Sequence, residues 1–156
     1  MKLADHMELK GRLTLHLRNT ADEIVEAITV PNSIVLDGRD LVAKLFINET
    51  IDPVSHVAVG TGATPVDPVA DTALDGELFR KTIDPIDPTL HLTTTPDDKK
   101  KVVITVELDF SEGNGALTEA GLFNADPGGV MYNRVVFLPI NKTTDFKLTL
   151  LWEIVF

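Results

Sequence analysis

The sequence predicts a mainly β protein: an antiparallel β-sandwich of seven or eight strands with one packed α-helix at about residues 37–47. Three observations carry that expectation. Apolar and polar residues alternate with period two in several segments, the mark of a strand with one buried face. Turn signals recur about every eight to twelve residues, the spacing of sandwich strands. One stretch alone carries its apolar residues at helical spacing.

The elements follow in order. Leu9, Gly11, Leu13, Leu15 and Leu17 alternate with Lys10, Arg12, Thr14 and His16, which puts His16 on the solvated face. A polar turn at 18–22 leads to Ile24–Val30, stopped by Pro31-Asn32, so residues 9–30 read as an antiparallel hairpin. That hairpin either packs on its own sheet or acts as an arm reaching a neighbour, with Pro31-Asn32 as hinge. Asp37 is positioned to cap a helix whose Leu41, Val42, Leu45 and Phe46 share one face. At about ten residues that helix is too short to persist alone and must lay its face on a sheet.

His56–Gly60 reads as a short buried strand running into an ordered loop with Gly62, Pro65 and Pro68. Leu74–Ile83 fits either a helical turn or a strand, and Pro85 and Pro88 end it. Residues 84–101, with three prolines and a lysine run, read as a flexible excursion loop or hairpin tip. Ile104, Val106, Leu108 and Phe110 alternate inward, Leu117–Phe123 is a further strand, and Asp126-Pro127-Gly128-Gly129 turns into Val130–Phe137. After a turn at 139–144, Phe146, Leu148, Leu150, Trp152, Ile154 and Phe156 share one face of the last strand. Loss of Trp152–Phe156 is therefore expected to be severely destabilising.

With 156 residues and a formal net charge of −10, the chain suits one domain, residues 1–156. A folded monomer of this size buries about two-thirds of its surface. The acid excess argues against a nucleic-acid partner, which recruits clustered Lys and Arg. No apolar run reaches the roughly 18 residues of a membrane helix, and Met1–His6 lacks the apolar block of a leader. Without cysteine there is no disulfide or thiolate chemistry.

Candidate chemistry is thin. Gly60-Thr61-Gly62-Ala63-Thr64 lacks the Gly-Lys-Ser/Thr ending of a phosphate loop, and Pro65 blocks the helix that a dinucleotide fingerprint requires. Those glycines read as permitting a backbone reversal where a strand leaves its sheet. Asp67, Asp71 and Asp75 recur every four residues, which is not calcium-loop spacing, and read as turn or cap residues. The four histidines match no zinc pattern. Ser55 and His56, as strand neighbours, would face opposite sides, a poor arrangement for nucleophile and base. No catalytic residue, cofactor or metal is expected. Glu77 with Arg80, and Glu119 with Arg134 across the turn, read first as surface ion pairs, each contributing at most about 1 kcal/mol; the alternative is a buried pair, which would serve specificity more than stability.

Taken together, several segments resemble a class of tailed-bacteriophage structural proteins. They are Leu9–Leu13, Asn32–Val35 with Gly38–Ala43, and His56–Gly62 leading to Asp71–Glu77 and Arg80. The second half adds Thr118–Asn124, Gly128–Arg134, and Lys142-Thr143 ahead of the strand with Trp152. The resemblance implies a β-rich, oligomeric virion component of the tail, fibre-attachment or baseplate region, made in the bacterial host cytoplasm. A neck or capsid-decoration position is the nearest variant. Its partners would be copies of itself and other virion proteins, with neither nucleic acid nor membrane among them. Gly60, Gly62, Glu77, Arg80, Glu119, Gly121, Arg134 and Trp152 are the structural or interface candidates, and the Lys99–Lys101 tip is either a contact with acidic patches on a neighbour or a solvated gatekeeper at a strand start. The reading from a different class is a carbohydrate-binding β-sandwich, which would need exposed aromatics.

Overall fold

The computed structural model describes residues 9–156; Met1–His6, read above for a leader, lie outside them. The elements are β1 (Lys10–Arg18), β2 (Ile24–Ile34), α1 (Leu36–Phe46), β3 (His56–Gly60), β4 (Glu77–Thr82), α2 (Pro88–His91), β5 (Leu92–Thr94), β6 (Lys100–Leu108), β7 (Gly115–Phe123), β8 (Met131–Lys142) and β9 (Lys147–Val155). The protein is mainly β and its strands pair antiparallel throughout. The strand count and layering differ from expectation. Nine strands are described, in the order β4-β3-β7-β8-β2-β1-β9-β6-β5, and they form one sheet curled into a half-barrel.

The extra continuity comes from β2, which does not stop at Pro31. Its residues Ile24–Asn32 pair with β1, and then Ser33 and Ile34 pair with Arg134 and Asn133 of β8. Pro31 is tolerated because that stretch of β2 has a neighbour on one side, where β1 lies, and a missing N–H on the open side breaks no ladder. β8 likewise runs past Pro139. Between the pairs Leu117–Ile140 and Glu119–Val136, three residues of β8 oppose one of β7, a bulge that accommodates the proline.

The hairpin β1–β2 lies within the sheet. Leu13, Leu15 and Leu17 of β1 are buried and meet Ile104, Val106, Leu148, Leu150, Trp152 and Ile154 in one core with Val57, Val59, Leu117, Leu122 and Val135 from the other half. Each such fully buried side chain contributes about 1.5–3 kcal/mol. Trp152 is paired with Leu13 on one flank and Ile104 on the other. The half containing β7 is buried on its outer face too, where Val35, Ala58, Leu74, Phe123 and Met131 form a second cluster. Residues Leu117–Phe123 are consequently buried throughout, and their sequence does not alternate.

Helix α1 starts one residue earlier than expected, and Asp37 does not cap it. Val35 holds the cap position in extended conformation and uses no side-chain bond. The strand passes straight into the helix, because Val35 N–H donates to the Tyr132 carbonyl (3.2 Å) and Leu36 N–H to that of Pro68 (2.7 Å). Leu41 is buried as expected, but Phe46 is 90% exposed. Residues 84–101, expected to be an excursion loop or a hairpin tip, hold α2 and the short strand β5, which pairs with β6 across a turn at 95–99, so the hairpin reading holds for the second half.

Acid sensitivity follows from the rim. Hydrogen bonds from Arg12 and then Lys101 hold the Glu153 carboxyl below its ordinary value of 4.5, and Lys81 does the same for Glu112. Their contribution to stability is complete above about pH 4.5 and is lost as pH falls through the depressed values of the folded state. The urea midpoint should decline below that pH, and Glu153→Gln should make the decline shallower by at most about 1 kcal/mol, because Arg12 is largely exposed. An unchanged acid limb in the variant would refute the assignment.

Candidate functional site

The most concentrated polar chemistry lies on the outer face of β7 and β8. The β7–β8 ladder places Gly121 opposite Arg134 and Glu119 opposite Val136, so Glu119 and Arg134 are diagonal neighbours on one face. The turn joining the strands contains the expected Gly128 and Gly129, both at positive φ. The pair is not on the surface. Both side chains are 0% exposed, because the loop from Thr61 to Gly76 is folded over them.

The loop is clamped through hydrogen bonds. Arg134 Nε donates to Glu119 Oε2 (3.0 Å), one terminal nitrogen to Asp71 Oδ2 (2.9 Å) and the other to Asp75 Oδ2 (2.9 Å). Glu119 accepts the backbone N–H groups of Gly62 (3.0 Å) and Gly76 (2.7 Å) on Oε1 and of Asp75 (3.1 Å) on Oε2. Thr118 Oγ1 donates to the Gly62 carbonyl at 2.7 Å. Burial opposes the Arg134 charge, but its bonds to Asp71 and Glu119 outweigh that and raise its pKa. The hydrogen bond from Thr64, then the nearby Arg134, lowers that of Asp75.

Gly60 and Gly62 serve this cradle by size rather than by conformation. Neither has positive φ. A Cβ on Gly60 would stand 2.5 Å from the Gly76 carbonyl oxygen, and one on Gly62 would stand 2.5 Å from Glu119 Oε1. Gly62→Ala should therefore displace the carboxylate and cost about 1–3 kcal/mol in urea unfolding. A neutral substitution would mean that the loop is not fixed by this contact.

Five sequence-selected residues thus come together: Gly60, Gly62, Glu119, Gly121 and Arg134. Glu77 and Arg80 form a second group. Arg80 bonds both carboxylate oxygens of Glu77, donates to the carbonyls of Ala125 and Gly128, and lies 3.8 Å over the Phe123 ring, fixing the β7–β8 turn. Trp152 belongs to the inner core and to neither group.

Asp67 makes the expected turn, accepting from Val69 and Ala70; Asp71, which accepts from the Asp67 N–H, and Asp75, in the turn before β4, are turn residues that are also ion-pair partners of Arg134. Lys142, singled out in the sequence only as part of the Lys142-Thr143 segment, has a structural role that the sequence did not show. It is 1% exposed, and its Nζ donates to the Asp109 carbonyl (2.7 Å) and Asn114 Oδ1 (2.9 Å), pinning the β6–β7 turn. Burial lowers its pKa.

Ser55 and His56 are in contact after all, with Oγ 2.9 Å from Nδ1, because Ser55 precedes β3 and escapes its alternation. Ser55 Oγ also lies 3.0 Å from the Asn124 carbonyl, which competes with Nδ1 for the single hydroxyl proton. Nε2 faces Thr82 Oγ1 at 3.2 Å and no carboxylate. Among the described residues there is no acidic or histidine cluster of metal-binding type, and no helix is long and apolar enough to cross a membrane. What the main cluster can do is hold a long loop rigidly against a sheet.

No protein-family model matches this chain, and it matches neither a curated protein nor a solved structure.

Proposed function

We propose that the protein is a structural virion component of a tailed bacteriophage or related contractile particle, built to assemble with copies of itself and with other particle proteins. Its place would be the tail, fibre-attachment or baseplate region. The observation that carries this reading is the amount of large apolar surface left uncovered. Phe46 and Ile47, adjacent at the end of α1, are 90% and 69% exposed next to an apolar groove lined by Leu45 and Val42, a contiguous patch of the kind that marks an interaction surface. Rigidly clamped loops suit a subunit whose surface must present one fixed shape to its neighbours. The sequence resemblance points the same way. In this reading the two halves of the curled sheet, facing one another across the core, act as the two layers of a sandwich that share β2.

A carbohydrate-binding role has less support, since Trp152 and Tyr132, the residues best suited to stack on a sugar, are 0% and 3% exposed. The test is to label this chain and image intact particles. Discrete, symmetric labelling at one position is expected. Absence of the chain from purified particles, or glycan binding by a lone monomer, would defeat the proposal.

A further inference from the structure

Helix α1 closes one end of the core incompletely. Between it and the sheet runs an apolar groove of about 260 Å³, walled by Leu41, Val42 and Leu45 on the helix and by Ile86, Val102 and Phe156 opposite. Tyr132 also lines it, 3% exposed and with its hydroxyl unpartnered. Beside this hollow stands a projection. Phe46, one helical turn beyond Val42 on the same stripe, is 90% exposed, and the next residue, Ile47, is 69% exposed.

Arg39 completes that stripe at i, i+3 and i+7 with Val42 and Phe46, and it forms no ion pair among the described residues. Exposed Glu49 lies just past the other end of the helix. The stripe therefore carries a cation at its start, a carboxylate beyond its end, and apolar residues between. Two such stripes laid antiparallel are complementary to one another.

We propose that the groove seats the α1 end of a second copy, the Phe46 of each copy entering the groove of the other about a two-fold axis, with Arg39 facing Glu49 of the opposite copy. The contact is isologous, so both grooves fill at once. The partly exposed Leu45, Ile86 and Phe156 are covered together with Phe46 and Ile47. These side chains leave roughly 500 Å² of apolar area per copy, which brings a symmetric pair to about 1,000 Å², the lower bound for a specific interface. The proposal rests on the assembly reading above and names one of its contacts.

The test is the oligomeric state of the full chain by light scattering across a concentration series. The wild type should self-associate, and Phe46→Asp should weaken that association at least about tenfold. Diluted to where the wild type is monomeric, the variant should match it in melting temperature and Trp152 emission, because the residue is exposed in the single copy. Leu138→Asp, at a 78% exposed apolar site in the β8 bulge, should leave association intact. Arg39→Glu should weaken it, and adding Glu49→Arg should restore it, which a merely structural role would not produce.

A monomeric wild type, or association indifferent to Phe46→Asp, overturns the proposal. If that monomer takes up a hydrophobic dye in the groove, the site belongs to another molecule. A chain found in particles whose association ignores Phe46 defeats this contact alone. A Phe46-dependent dimer absent from particles defeats the virion reading alone.

Discussion

Arg134→Met should cost on the order of 3–5 kcal/mol in urea unfolding, the penalty for leaving a buried counter-charge without its partner. The substitution would strand the fully buried Glu119 carboxylate and release Asp71 and Asp75. Amide exchange should show where the loss falls. Protection at Gly62, Asp75 and Gly76 should collapse, since these N–H groups depend on Glu119 keeping its position. Arg134→Lys should rescue little, because one ammonium cannot reproduce the planar fork that bonds three carboxylates along separate directions. Combining Arg134→Met with Glu119→Leu should cost less than the two single changes added together, as expected for residues sharing one network. A loss below about 1 kcal/mol for Arg134→Met would place the pair in the class of surface bridges and refute the clamp.

Removal of Trp152–Phe156 should be more damaging still. Strand β9 lies between β1 and β6, and the deleted residues oppose Lys10–Leu13 on one side and Lys101–Ile104 on the other. Both neighbours would lose a ladder at once, and the core would lose its largest side chain. Trp152→Ala alone should cost about 3–5 kcal/mol by leaving a cavity that the surrounding strands cannot close. The truncated chain should be insoluble or should melt without cooperativity. A soluble, cooperatively unfolding form would show that β9 contributes far less than its position implies.

Periodicity carried most of the fold. β1, β9 and the second half of β6 each have one face in the core and one in solvent, and that contrast is written directly into their alternating residues. β7 was visible as a strand but not as a doubly buried one, because its outer cover is the Thr61–Gly76 loop, distant in sequence. The prolines misled in a consistent way. Pro31 and Pro139 mark strand ends when only local conformation is weighed, yet each stands where no ladder partner needs its missing N–H. The β2 junction depends on that tolerance, and with it the difference between separate layers and one curled sheet.

The ionic cluster was half legible. The turn at 126–129 indicated that Glu119 and Arg134 approach one another. Their burial depends on Asp71 and Asp75 arriving from a loop more than 40 residues away, which no local pattern encodes. Phe46 was misread for a related reason. It lies on the apolar stripe at the last position of the helix, but nothing in the described residues covers it, and it is 90% exposed.

The two halves of the sheet are hydrogen-bonded to one another at Ser33–Arg134 and Ile34–Asn133. Arg134 is also the residue that grips the Thr61–Gly76 loop. A mechanical pull on that loop would reach the suture through Arg134 as well as β7 through Thr118 and Glu119. With two ladder pairs against the long β7–β8 ladder, the suture should be the first of these to open under tension, like a book whose spine is tied to its clasp.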